Sequence, residues 1–166
     1  MKKTPWENNI SKAINLSTST CCFCTIASRD YTLKALALYS SLKEHCSNFH
    51  LWICCMDEEI YSILRVLSLN EVTPLRLKNV ETPELLAVKS QRATNEYCWT
   101  LKPFILKHVL STNNINTLIY LDSDMFFFDD PTSIFEDFKN HSVLICPQRD
   151  LEWVHQIYGY YQAGFV

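Results

Sequence analysis

The chain has 166 residues, 48% of them hydrophobic and 20% charged, which is length and apolar content enough for one domain with a substantial core. Its formal net charge of −3 offers no basic surface for nucleic acid or for an anionic membrane. Only two glycines occur, Gly159 and Gly164, and this excludes the P-loop and the dinucleotide G-x-G-x-x-G, whose backbones approach phosphate through glycine.

Residues 1–20 form a polar lead-in, and Thr4 to Thr20 lacks the apolar core of a signal peptide. No apolar run reaches membrane-spanning length, so a cytoplasmic location and no transmembrane segment are expected. A strand is predicted from Cys21 to Ala27, then a turn, Ser28-Arg29-Asp30, that can cap a helix from Tyr31 to His45. Along that helix Leu33, Leu36, Ala37, Ser40 and Ser41 follow i, i+3, i+4, i+7, i+8 and are expected to face the sheet, with Leu38 and Leu42 beside them. A second strand spans His50–Cys55. The next helix, Asp57 to Leu69, opens on acids that suit the positive end of its dipole.

A short strand at Leu75–Leu77 follows, then a loop over residues 78–95 with one short helix from Glu84 to Lys89. Glu96 to Leu110 is helical, although Pro103 demands a start or a kink. Thr117–Leu121 is a buried strand. Asp130-Pro131-Thr132 reads as an N-cap with proline at the first helical position, opening a helix to Phe138. Asp129 and Asp130 thereby have a structural role and are not taken as ligands. Ser142–Cys146 is expected as another buried strand and Leu151–Tyr158 as a helix. Alternating strands and helices imply a mostly parallel sheet, in which ligands bind at the carboxyl ends of the strands.

The stretch from Leu118 to Phe128 carries Asp122 and Asp124 at the end of an apolar run. If the strand continued that far, its period of two would point both carboxylates to one face. Two unpaired acids about 6–7 Å apart are costly at a buried strand end. A hard divalent cation, Mg²⁺ or Mn²⁺, removes that cost. The plainer alternative is a polar turn that ends the strand.

Eight cysteines raise the question of zinc or disulfides. Cys21 and Cys24 form a C-x-x-C, but inside an apolar strand-like run, and Cys54 and Cys55 lie in another. Cys46, Cys98 and Cys146 stand alone, without the repeated pair that a zinc site needs. Reduced core cysteines are the expectation.

Four motifs in order carry a family resemblance: Tyr97-Cys98-Trp99-Thr100-Leu101-Lys102-Pro103, Tyr120-Leu121-Asp122-Ser123-Asp124, Asp130-Pro131-Thr132-Ser133-Ile134-Phe135 and Ala163-Gly164-Phe165-Val166. With them, residues 21–166 resemble nucleotide-sugar glycosyltransferases of the GT-A fold. The likeness is narrower to the glycogenin and bacterial lipooligosaccharide galactosyltransferase group and to relatives found with surface-polysaccharide genes. The resemblance implies an α/β fold, a three-layer Rossmann-like GT-A domain with a mostly parallel central sheet. It implies metal-dependent transfer of a sugar from a nucleoside-diphosphate donor, a UDP-sugar, to a glycan or lipid-linked acceptor.

It also implies roles. Asp122 and Asp124 match the D-x-D that holds Mn²⁺ or Mg²⁺ against the donor diphosphate, with Ser123 near the ribose. Ala27, Ser28, Asp30 and Tyr31 match the loop that receives base and ribose. Tyr31 is either a stacking partner for uracil or a core aromatic that opens a helix. Lys102 matches a basic residue facing the donor, or is a solvated helix lysine. Gln148 and Arg149 match donor-sugar contacts, with Arg149 otherwise a surface charge. Gln162 stands where relatives have asparagine at a sugar contact.

In the family the acceptor wall, a later metal-binding histidine and the candidate catalytic groups lie beyond the position of Val166. No catalytic residue is therefore assigned within the chain, which reads as the donor-binding part of a domain truncated at its C-terminus. Inefficient transfer by this chain alone is expected, with exposed apolar surface at Ala163–Val166. The alternatives are a non-catalytic nucleotide-sugar-binding fragment, or half of a split enzyme completed by a second chain or by self-association. A metal-dependent phosphohydrolase, with Asp122 as nucleophile and Asp124 as acid/base, is a further alternative. Such enzymes place their D-x-D on the first strand.

Overall fold

The computed structural model describes residues 20–138 and 141–166. The polar lead-in, apart from Thr20, lies outside the described residues.

Strand β1 (Cys21–Ala27) is buried at every position, since the sheet is covered on both faces and alternation gives way to a continuous apolar run. Helix α1 (Thr32–His45) follows, preceded by a 3₁₀ turn over Arg29–Tyr31. Strand β2 (Phe49–Cys55) pairs in parallel with β1 from Cys21↔Phe49 to Ala27↔Cys55. After helix α2 (Glu58–Leu67), strand β3 (Val72–Arg76) adds to the far side of β2, again in parallel. Strand β4 (Ile119–Tyr120) pairs in parallel with the other side of β1, giving the order β3-β2-β1-β4.

Two cores sandwich this sheet. On one face Phe23, Leu51 and Ile53 pack with Leu38 and Leu42 of α1, Ile60 and Leu64 of α2, and the half-buried Phe127 and Phe135. On the other, Cys24, Trp52 and Tyr120 pack with Val80 of α3 (Leu77–Val80), Leu85 of α4 (Pro83–Lys89), and Tyr97, Leu101, Ile105 and Val109 of α5 (Thr94–Asn113). The three-layer α/β arrangement is as expected.

Local expectations change in several places. The sheet-facing side of α1 is Ala35, Leu38, Tyr39 and Leu42, whereas Leu33 is 81% exposed and Ala37 and Ser40 are also exposed. A helix apolar nearly all round offers more than one face of the right period, and packing of the larger side chains decides between them. Ser41 is buried, and its hydroxyl donates to the Leu38 carbonyl and accepts from the Phe127 amide at 3.1 Å. Strand β3 begins three residues earlier than predicted, through Pro74, which an edge strand tolerates. Helix α5 runs unbroken for 20 residues through Pro103. That proline is on the exposed side, where water can take the carbonyl of Trp99 that it leaves without a partner.

The predicted strand at Ser142–Cys146 is reduced to β5 (Cys146–Pro147), with Val143 66% exposed. β5 pairs only with β6 (Tyr161–Gln162), antiparallel, and among the described residues no strand flanks 142–145. Helices α6 (Thr132–Asp137) and α7 (Glu152–Tyr158) form close to where they were predicted. The N-cap of α6 is Pro131 and not Asp130 as expected, with Thr132 the first helical residue; Asp130 stands one residue earlier, its carboxylate accepting from the Thr132 amide at 2.9 Å and from the Thr132 hydroxyl, and these bonds hold its pKa below the usual value. Residues 164–166 run antiparallel to the outer edge of β4, with backbone bonds between Val166 and Tyr120 and from the Asp122 amide to the Gly164 carbonyl. Phe165 and Val166 are therefore half-buried against the two cores, not an exposed apolar end.

Candidate functional site

The carboxyl ends of β1 and β4 lie side by side, because Leu121 donates its amide to the Cys24 carbonyl and extends the parallel register by one residue. Past the end of β1, the chain is pinned by Asp57. One oxygen of Asp57 caps α2 through the Ile60 amide and the other accepts from the Arg29 amide, both at 2.9 Å. The 3₁₀ turn, closed by Tyr31 N–H to Ser28 at 3.0 Å, then directs Ser28, Asp30 and Tyr31 into a cleft of about 460 Å³. Ala27 forms part of the cleft wall.

The opposite wall is one face of α5. Asn95, Cys98, Trp99 and Lys102 line it, at i, i+3, i+4, i+7, together with Thr94. Sequence reasoning took only Lys102 from this face. The helical spacing of the polar and aromatic residues around it was the signal that could have found the others. Trp99 is 60% exposed, a large aromatic held open on the cleft rim. Cys98 is half-buried, and burial raises its pKa while Lys102 pulls it back.

Asp122, Ser123 and Asp124 line the cleft beyond β4. The paired strand stops at Leu121, and residues 122–125 form a turn closed by Met125 N–H to the Asp122 carbonyl at 3.0 Å. Both carboxylates thus reach one cleft through a turn, not through the two-residue period of a continuing strand. Ser123 is buried.

Asp122 Oδ1 accepts from the Tyr120 hydroxyl at 2.9 Å and from Lys102 Nζ at 2.9 Å. Lys102 Nζ also donates to the Ala163 carbonyl at 3.0 Å and stands 5.1 Å from the Tyr120 ring centre. Its side chain is 13% exposed, so it is an internal clasp joining α5, β4 and the terminal segment, not a solvated helix lysine. Tyr120 is pushed well above the usual phenol range, first by burial and then by the Asp122 charge, so it remains a donor. On the other side, a Cβ at position 164 would lie 2.8 Å from Asp122 Oδ2, and glycine there leaves the carboxylate its place.

Asp124 is half-exposed, with Lys34 Nζ 3.6 Å from its Oδ2. The same ammonium lies 4.4 Å from the centre of the Tyr31 ring. Tyr31 is 43% exposed at the cleft, not a core aromatic. Lys34 had no place in the sequence-based site.

Gln148, Arg149 and Gln162 are not among the residues that line this cleft. They sit on the β5–α7–β6 unit, where the Gln148 amide donates to the Tyr160 carbonyl at 2.7 Å, the Gln148 carbonyl meets His155 Nε2 at 2.9 Å, and Gln162 pairs with Cys146.

Among the described residues no group of three or more His, Cys, Asp or Glu gathers as a metal centre. Asp122 and Asp124 both line the cleft. Hard, partly exposed oxygens of this kind fit Mg²⁺ or Mn²⁺ when the remaining positions go to water and to the oxygens of a bound phosphate ligand.

No family model matches the chain. It is 39% identical over 152 residues to the uncharacterized protein YfnD of Bacillus subtilis (strain 168), a match covering 89% of this chain and 49% of that protein. It is 31% identical over 157 residues to YfnF of the same organism, also uncharacterized, covering 89% of this chain and 52% of that one. The chain spans about half the length of these relatives.

Among solved structures, it is similar to the glycosyltransferase GlyE of Streptococcus pneumoniae TIGR4, with TM-score 0.52 and 17% identity over 89% of this chain and 33% of that one. It is also similar to the galactosyltransferase LgtC in complex with donor and acceptor sugar analogues, with TM-score 0.54 and 15% identity over 86% of this chain and 55% of that one. Identities this low speak to architecture, and over the matched stretch the chain has the GT-A-type α/β fold of these glycosyltransferase structures.

Proposed function

We propose that this chain carries the donor cleft of a glycosyltransferase that takes a sugar from a nucleoside diphosphate, a UDP-sugar, and passes it to a glycan or lipid-linked acceptor. The observation that carries the proposal is the convergence on one cleft of Asp122 and Asp124, the loop after β1, and the aromatic rings of Tyr31 and Trp99. The cleft has carboxylates on its floor and aromatic rings set among polar side chains on its walls. That suits a ligand with a planar base at one end and a diphosphate at the other, provided the charges on the floor are neutralised.

Asp122 and Asp124 are the residues that would hold Mn²⁺ or Mg²⁺. Bound there, the cation would supply Lewis-acid neutralisation of the diphosphate as it leaves. The chain's own groups do the rest. Lys102 and Tyr120 fix the orientation of Asp122, so that carboxylate needs no reorganisation when a ligand arrives. Asp30 and Ser28 offer acceptors and a hydroxyl for a ribose, and Tyr31 offers a ring face for the base.

The test is incubation of the chain with Mn²⁺, a panel of sugar nucleotides and glycan acceptors, with release of nucleoside diphosphate measured. Metal-dependent release of UDP that disappears in Asp122→Ala supports transfer. Binding of UDP without release assigns the chain to a donor-binding module instead. Absence of both binding and release would contradict the proposal.

A further inference from the structure

Trp99 lines two cavities. One is the donor cleft, and the other is an open groove of about 720 Å³ where the end of α4 passes into α5. Around Trp99, which is 60% exposed, the groove carries Gln91, Arg92, Glu96 and Thr100. Arg92 and Glu96 are opposite in charge, and no other charged side chain is among the described residues that line the groove. Its polar groups are held in place. Arg92 Nη1 donates to the Thr100 hydroxyl, which donates in turn to the Glu96 carbonyl at 2.8 Å, and the Glu96 carboxylate accepts from the Ala93 amide at 2.8 Å. Side chains fixed before a ligand arrives lose less freedom on binding it. Pro103, which also lines the groove, leaves the Trp99 carbonyl without its helical donor.

We infer that this groove binds a neutral hexose unit of a glycan, with the apolar face of the sugar ring on Trp99 and its hydroxyls on Arg92, Glu96 and Gln91. A pyranose has one flat apolar face, no charge, and hydroxyls that both donate and accept. It therefore meets an open indole, a guanidinium with further N–H donors and a carboxylate together. A polyanion would meet Glu96, and an apolar peptide would bury Arg92 and Glu96 without new partners. The inference rests on the reading of the adjoining cleft as a donor site and adds a place for the acceptor inside this chain. Trp99 is common to both cavities. It precedes Lys102, the anchor of Asp122, by three residues, or about 4.5 Å along the axis of α5.

The experiment records nitrogen-15 amide and indole spectra of the chain during titration with lactose, maltotriose and chitotriose, and with a heparin disaccharide as the anionic comparison. UDP with Mn²⁺ is titrated separately by calorimetry. Both are run on the wild type, Trp99→Ala, Trp99→Tyr, Arg92→Ala and Asp122→Ala. Arg92 lies outside the donor cleft, so its variant separates the groove from that cleft.

At least one neutral saccharide is expected to shift the Trp99 indole signal saturably, with millimolar affinity and more tightly than the heparin disaccharide. Trp99→Ala is expected to weaken that binding about tenfold and Arg92→Ala about threefold to tenfold, as loss of a stacked ring or of one charge-assisted hydrogen bond predicts. Trp99→Tyr restores most of it, Asp122→Ala leaves it intact, and Arg92→Ala leaves UDP affinity unchanged. No saturable shift with any of the three saccharides, shifts unchanged in both Trp99→Ala and Arg92→Ala, or tighter binding of the heparin disaccharide overturns the inference. Saccharide binding that vanishes in Asp122→Ala places the sugar in the donor cleft and also overturns it. If UDP still binds with Mn²⁺ in these cases, the inference fails alone; if UDP does not bind, the donor-site reading fails with it.

Discussion

Lys102 and Asp122 meet at 2.9 Å, and the same ammonium reaches the Ala163 carbonyl at 3.0 Å, so one side chain ties the central helix, the pivotal strand and the terminal segment together. Lys102→Met keeps the length of the side chain and removes the charge. The Ala163 carbonyl loses its donor, and Asp122 is left with the Tyr120 hydroxyl alone. Because Asp122 is 39% exposed, water softens the loss, and a destabilisation of about 1–2 kcal/mol is expected. Urea denaturation measures it. An unchanged midpoint would show that the clasp contributes nothing to the fold.

Gly164 and Gly159 make a matched pair of tests. Alanine at 164 would put its Cβ 2.8 Å from Asp122 Oδ2 and push the carboxylate aside. The expected result is at least tenfold weaker Mn²⁺-dependent UDP binding, about 1.4 kcal/mol, with a smaller change in stability. Alanine at 159 meets no atom within 4 Å but must adopt φ +90°. It is expected to cost about 1–2 kcal/mol of stability and to leave UDP affinity unchanged. Thermal melts and calorimetry on the two variants would separate these outcomes.

His50 sets an acid limit. It is buried in β2, its ring 4.4 Å from that of Trp52 and its Nε2 2.8 Å from the Thr73 hydroxyl. Burial lowers its pKa from 6.5 to about 4, partly opposed by the Glu71 charge. The unfolded chain takes up this proton near pH 6.5 and the folded chain only near pH 4. The contribution to stability is therefore full above pH 6.5 and is lost as pH falls through that window, at most about 3 kcal/mol in all. His50→Gln should flatten the pH dependence of urea midpoints between those values. An unchanged slope would refute the assignment.

The thiols should divide by burial. Cys21, Cys22, Cys24, Cys46, Cys54 and Cys55 are buried, and burial pushes Cys22 up to about 11 and Cys21 and Cys55 to about 12. Thiol labelling of the native protein at pH 8 is expected to show a fast phase confined to the half-buried Cys98 and Cys146. All eight should react in denaturant. A shortfall there would reveal a disulfide or a held metal.

The central strands and their alternation with helices were legible because seven-residue apolar runs such as Cys21–Ala27 and Phe49–Cys55 leave little choice of structure. The face of α1 was not, since a helix apolar all round has no unique period to read. Eight of the eleven residues named from sequence for the donor site meet at one cleft. Gln148, Arg149 and Gln162 lie on the separate β5–α7–β6 unit. Lys34 escaped notice because an exposed lysine in a first helical turn is unremarkable until its distances to Asp124 and Tyr31 are known.

Isothermal titration of the chain with UDP, in Mn²⁺ and then in EDTA, tests most directly whether Asp122 and Asp124 hold a cation for a nucleoside diphosphate. Saturable binding in Mn²⁺ is predicted, lost in EDTA and reduced at least tenfold by Asp122→Ala or Asp124→Ala in variants that melt like the wild type. Equal UDP affinity in Mn²⁺ and in EDTA, or in the wild type and both variants, would contradict it.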